Sequence, residues 1–216
     1  QFVRSMLAGI DPDRARGMDN TLMHTILDEA AERVGKELSE QPDVRARIER
    51  TIADSYGSLG DYELAQQHFA AAIDAARSAR LAPGEIGRIA AGASINLWNQ
   101  GRLQDALVAV RESFAMVEAL PAEDRDRLSV ESTLASMEAA TGNPEVARQR
   151  FLRVLALQRK LLGNDSEDVQ SSIDSLSSVD IDTARFDEAR RLLEELLATR
   201  RARYGDEHSR TFAAVN

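Results

Sequence analysis

The chain has 216 residues, 43% hydrophobic and 29% charged, which is enough apolar material for a core and unlike a disordered or collagen-like composition. Aromatics at 5%, with 12 Gly and five Pro, leave few hairpin turns and argue against a β-sandwich or barrel. A net charge of −9 disfavours nucleic acid as the main partner, and the lack of cysteine excludes a disulfide framework, a thiolate metal site and a cysteine nucleophile.

In chain order, the first element is expected near 2–9, where Phe2, Met6, Leu7 and Ile10 share one helical stripe. Arg4 and Ser5 interrupt this stretch, which is too short to cross a bilayer and lacks a signal-peptide cleavage pattern. Because the chain starts at Gln1 and stops at Asn216 in mid-pattern, it reads as a piece of something longer. Further helices are predicted near 20–40, 42–58, 61–80, 84–99, 102–119, 123–140, 144–162, 166–182 and 186–203, with another from 207, about eleven in all. The breaks between them carry Gln41-Pro42, Ala82-Pro83-Gly84, Leu120-Pro121 and Gly163-Asn164-Asp165-Ser166.

One phrase recurs along this series: a turn residue, four residues, then an alanine. It runs Gly60 to Ala65, Gly101 to Ala106, Gly142 to Ala147 and Ala184 to Ala189, at spacings of 41, 41 and 42. Helical periodicity flanks each copy, as with Ile48, Ile52, Tyr56 and Leu59 before the first and Leu64, Phe69, Ile73 and Ala76 after it. Each unit is therefore helix, tight turn, helix, with glycine at a left-handed cap. Asn143-Pro144-Glu145 is the best helix start, Asn as cap and Pro at the first helical position. Small residues sit seven before the turn (Ala53, Ser94, Ala135, Ser177) and five after it, and a larger one nine after it (Phe69, Val110, Phe151, Leu193). Two helices approach at the small residues and the large one fills the space beside them. A lone unit cannot bury both faces, whereas stacked units can.

At these residues the chain resembles a tetratricopeptide repeat protein, most fully at Ala53, Tyr56, Gly60, Ala65, Phe69 and Ala72. Leu97, Glu138 and Asp180 stand in later copies where Tyr56 does, and Ala184 replaces the turn glycine. The period exceeds the usual 34, about one extra turn per helix. It is similar to the long-repeat branch found in kinesin light chains, as are Leu161-Leu162-Gly163-Asn164-Asp165-Ser166 and Tyr204-Gly205-Asp206-Glu207-His208-Ser209. The resemblance implies an all-α, right-handed superhelical solenoid of antiparallel helix pairs. The expected organisation is an N-terminal helix and linker over 1–19, then an array over 20–216. Within it a capping helix spans 20–40, repeats span about 42–82, 83–122, 123–165 and 166–206, and a truncated fifth begins at 207.

Residues 1 to about 60 are similar to the segment that joins a bacterial serine/threonine protein kinase to its C-terminal array. The matching residues are Phe2-Val3-Arg4-Ser5-Met6-Leu7, Asp11-Pro12-Asp13-Arg14-Ala15-Arg16-Gly17, Thr21, Ile26-Leu27-Asp28, Ala31-Glu32-Arg33, Leu38 and Gln41-Pro42-Asp43-Val44. This implies a sensor or docking module of a kinase whose catalytic domain is absent from this chain. In that family a membrane span often separates kinase and array, which would make the array extracytoplasmic (periplasmic); otherwise it is cytoplasmic.

No nucleotide-binding or catalytic signature is present, so no catalytic residue, cofactor or metal is assigned. His24, His68 and His208 lie in different units without ligand spacing and read as surface or inter-helix histidines. Asp165-Ser166-Glu167-Asp168 lacks a calcium-loop pattern, and Asp180-Ile181-Asp182 reads as a loop.

Carrying the family's first-helix spacing onto each unit gives the candidate concave-groove residues. They are Arg47, Arg50 and Asp54, then Arg88, Ala91, Ile95 and Trp98, then Ser129, Ser132 and Ser136, then Ser171, Asp174 and Ser178. The sole tryptophan, Trp98, either faces this groove or packs the end of its helix against the next unit. Paired asparagines that related long-repeat proteins carry are matched only at Asn216. Arginines followed by hydroxyls suit an extended peptide with acidic or polar groups; the alternative is a solvated face. The expected function is a protein- or peptide-binding scaffold without nucleic-acid binding or membrane insertion, the alternative being self-association through exposed end units.

Overall fold

The computed structural model describes residues 20–205 of the chain. Among these residues the secondary structure is entirely helical. The helices are α1 (Asn20–Glu37), α2 (Pro42–Leu59), α3 (Tyr62–Ser78), α4 (Pro83–Asn99), α5 (Leu103–Val117), α6 (Arg125–Ala140), α7 (Pro144–Leu162), α8 (Glu167–Asp182) and α9 (Phe186–Tyr204). The helices expected near 2–9 and from 207 lie outside the described residues, as does His208.

The chain divides into two compact units, Gln1–Val117 and Glu118–Asn216. In the first, α1 packs on α2, α2 on α3, α3 on α4 and α4 on α5. In the second, α6 packs on α7, α7 on α8 and α8 on α9. Each helix thus buries its apolar stripe mainly against its chain neighbours, the packing expected of stacked two-helix repeats.

The four repeat turns share one hydrogen-bond pattern. In the first, the Gly60 N–H donates to the Gly57 carbonyl and the Asp61 N–H to the Tyr56 carbonyl. The other three repeat it at Gly101, Gly142 and Ala184. The turn residue is left-handed each time, with φ of 89°, 76° and 90° at the glycines and 58° at Ala184. Ala184 therefore keeps the geometry despite its Cβ, a conformation roughly 1 kcal/mol less favourable for alanine than for glycine.

The starts differ from expectation at one place. Pro144 opens α7, yet Asn143 makes no side-chain cap; its amide instead donates to the Thr141 carbonyl at 3.5 Å. With φ −118° and ψ 53°, Asn143 lacks the extended backbone that aims a capping oxygen at the first free N–H groups. Side-chain caps occur where the preceding residue is extended: Asp124 accepts from the Asp126 and Arg127 N–H groups, and Ser166 from that of Val169.

The small-residue positions form the helix contacts. Ala53, Ser94, Ala135, Ala65, Ala106 and Ala147 have no exposed surface, and Phe69, Val110 and Phe151 are buried beside them. Leu193 departs, being only half-buried on α9, where Leu196 takes the fully buried place.

Candidate functional site

α2 and α4 are the first helices of successive repeats and run side by side in the same direction. Arg47, Arg50 and Asp54 of α2 share one cavity of about 550 Å³ with Glu85 and Arg88 of α4. Further along both helices, Ala53, Asp54 and Gly57 share a second cavity of about 260 Å³ with Gly92, Ile95 and Asn96, its floor formed by Phe69 of α3. Asp54 lines both, so the two cavities are successive parts of one groove. The stripe arises because residues three and four apart share a helix face.

The wide end carries three cations. Arg47 Nε donates to Glu85 Oε1 at 3.1 Å, and Arg50 Nε lies 3.6 Å from Asp54 Oδ2. A guanidinium carries five N–H donors, so one such contact leaves capacity for a further acceptor. Asp54 is reached by water, yet crowding by the surrounding wall raises its carboxyl above the ordinary value, more than Arg50 lowers it.

The narrow end is built from small and apolar groups. Ile95 is 43% exposed. Asn96 is buried, donating from Nδ2 to the Tyr62 carbonyl and to Gln66 Oε1, both at 2.9 Å. A Cβ at Gly92 would lie 2.8 Å from Phe69 Cε1, so glycine is required there for α4 to approach α3.

The structure thus brings Arg47, Arg50, Asp54, Arg88 and Ile95 together. Trp98 is half-buried and lines neither cavity, and Ala91 is buried away from both. Ser132, Ser136, Asp174 and Ser178 belong to the second unit. There Ser136 donates to the Ser132 carbonyl at 3.3 Å and Ser178 to the Asp174 carbonyl at 3.2 Å. Ser132 and Ser172 link α6 to α8 at 3.2 Å, and Asp174 pairs with Arg200 at 3.3 Å. The Ser136 and Ser178 hydroxyls thus bond within their own helices, and that of Ser132 bridges to α8. Sequence reasoning missed Glu85, Gly57, Gly92 and Asn96; Glu85 stands three before Arg88 on the same face, whereas glycines leave no side-chain signal.

The described histidines are inter-helix groups. His68 Nδ1 lies 2.7 Å from Glu49 Oε2 with its ring stacked on Tyr56 at 5.4 Å, and His24 Nε2 lies 3.2 Å from Asp61. Among the described residues no group of His, Asp and Glu is placed to hold a metal, and no helix is long and apolar enough to cross a membrane.

Helix pairs closed by left-handed turns, with a groove between successive first helices, define a helical-repeat module. Residues 126–202 match the family model of the tetratricopeptide repeat. Solved structures extend the likeness of fold along the chain. BtubC (BKLC) from P. vanneervenii is 19% identical with a TM-score of 0.72, covering 88% of this chain and 78% of its own. The TPR-like repeats of a kinesin light chain candidate from Podosopora anserina are 19% identical with a TM-score of 0.64, covering 94% of this chain and 92% of their own. The Rap conjugation gene regulator of plasmid pLS20, in complex with the Phr* peptide, is 18% identical with a TM-score of 0.73, covering 88% of this chain and 51% of its own. No curated protein matches the sequence.

Proposed function

We propose that this chain is a docking scaffold for an extended protein or peptide segment, held along the α2–α4 groove. The observation that carries this reading is the convergence of Arg47, Arg50 and Arg88 on one cavity in a chain of net charge −9. Against Asp54 and Glu85 in the same lining, these three arginines leave a net positive wall, which attracts carboxylate or other acidic groups through charge-assisted hydrogen bonds. The Rap regulator, whose fold is similar, is a protein seen with a bound peptide, which supports the same use of this fold here. The mechanism is binding rather than catalysis, with affinity from a few anchors on a preformed surface.

Selection of displayed random peptides on the protein tests this. Enriched peptides should bind at least about tenfold more weakly to an Arg50→Glu, Ile95→Ser double variant of unchanged helical content, a loss of about 1.4 kcal/mol or more. No enrichment, or enrichment indifferent to the substitutions, removes the reading. Self-association predicts a sedimentation coefficient that rises with concentration; a concentration-independent monomer removes that alternative.

The kinase context rests on the resemblance of residues 1 to about 60 alone. The array is then the regulatory part of a bacterial serine/threonine kinase. A kinase domain and an apolar span of about twenty residues encoded upstream of Gln1 are the expected finding. Their absence there would remove both the kinase assignment and the extracytoplasmic placement.

A further inference from the structure

We infer that the α2–α4 groove reads two ligand side chains at once, an acidic one against Arg50 and Arg88 and a short aliphatic one against Gly57 and Ile95, placed three residues apart in an extended segment. This rests on the docking reading above and specifies what is docked.

The spacing comes from helix geometry. Gly57 follows Arg50 by seven residues, and Ile95 follows Arg88 by seven, so the two ends of the groove are about 10 Å apart at 1.5 Å per residue. A β-strand presents side chains to one face every second residue, at about 6.6 Å and then about 13 Å, and fits neither way. A polyproline II segment rises about 3.1 Å per residue with three residues per turn, so its same-face side chains recur at about 9 Å.

The chemistry of each end is separate. The first is cationic, and Asp54, standing between the ends, repels a second acidic group placed toward the apolar one. The second end is lined by Gly57, which adds no side chain of its own, and by the exposed Ile95. Nothing local demands glycine at that position: its backbone is helical, and a Cβ would come no closer than 3.6 Å to Asn96 Oδ1 and 3.8 Å to Ala65 Cβ, which is ordinary contact. Glycine inside a helix weakens it relative to alanine, and here it leaves this stretch of the cavity wall without a side chain beside the ligand. Gly92 differs, since Phe69 already occupies its space.

The test uses fluorescein-labelled, end-blocked octapeptides on a Pro/Ser background, carrying one Glu and one Leu two, three or four residues apart, titrated by anisotropy against the whole chain. The three-apart peptide should bind at least tenfold more tightly than the others. Replacing its Glu by Gln should matter in the parent protein and not in Arg50→Glu. Replacing its Leu by Ala should matter in the parent and not in Gly57→Leu, with circular dichroism confirming that each variant keeps its helices. Equal affinity at all three spacings overturns the two-point register while leaving docking intact. Failure of the whole series in a protein that enriches other displayed peptides overturns it too, whereas a protein that enriches none fails at the docking reading itself.

Discussion

In the first unit the position four before the turn is Tyr56, whose ring stacks on His68 and whose hydroxyl donates to Asp28 of the preceding helix at 2.5 Å. Burial first, and then that bond, push the Tyr56 hydroxyl well above its ordinary pKa and keep it a donor. In the second unit the same position holds Glu138 and then Asp180, both buried and both held by arginine. Arg150 grips Glu138 through two bonds at 2.9 and 3.1 Å and reaches Glu131 at 3.2 Å, while Arg153 also contacts Glu131. Asp180 meets Arg148 of the preceding helix at 2.5 Å, as Tyr56 meets Asp28. The partners correspond as well: His68 and Arg150 each stand eight after their turn, and Glu49 and Glu131 each eleven before it. Between them, the second repeat puts Ala90, Leu97 and Ala109 at these three places. The repeat therefore constrains sets of residues, not single ones: an aromatic–polar set, an apolar set or an ionic set each fills the junction.

The sharpest way to break this comparison is Arg150→Met. Stranding the buried Glu138 carboxylate, and leaving Glu131 to Arg153 alone, should cost about 3–5 kcal/mol. Hydrogen exchange should show the loss in α6 and α7 with residues 20–117 unaffected; undiminished protection there would mean the ionic set does not close the second unit. In the first unit Gly92→Ala should cost about 1–3 kcal/mol by driving a methyl into the Phe69 ring, read from denaturant unfolding. Full stability in that variant would show that α3 and α4 are not closely packed. Ala184→Gly acts in the opposite direction, and a gain of about 1 kcal/mol in the second unit is expected from relief of the left-handed alanine.

The smallest effect is expected at Asp54. Its carboxyl is raised in the folded chain, so ionisation opposes folding increasingly as the pH rises above the ordinary value of 3.8, fully once it exceeds the raised value, and imposes nothing when the group is protonated in both states. Asp54→Asn should therefore stabilise the fold at pH 7 by less than about 1 kcal/mol, because the side chain is half open to water, seen as a raised melting temperature, and the gain should vanish below the ordinary value of 3.8. A gain that persists at pH 3 would assign the effect to something other than ionisation.

The sequence by itself determined the helices and turns, because their signals are local. The helix expected at 144–162 is Pro144–Leu162, and that expected at 102–119 is Leu103–Val117. A repeated turn phrase and small residues at fixed offsets were enough, since left-handed caps and close helix contacts each admit few residue types. Arg47, Arg50, Asp54 and Arg88 were legible as one stripe through the first-helix spacing of the family the repeats resemble, carried onto both units. Only the tertiary structure decided what that stripe faces. Gly57 and Gly92 look alike in the chain, yet a Cβ would make ordinary contacts at the first and strike the Phe69 ring at the second, a difference set by a neighbouring helix. Glu138 and Asp180 read as departures from the repeat until the fold brings Arg150 from 12 residues after and Arg148 from 32 residues before. Burying a carboxylate depends on its partner, and three-dimensional packing supplies that partner at no fixed distance along the chain.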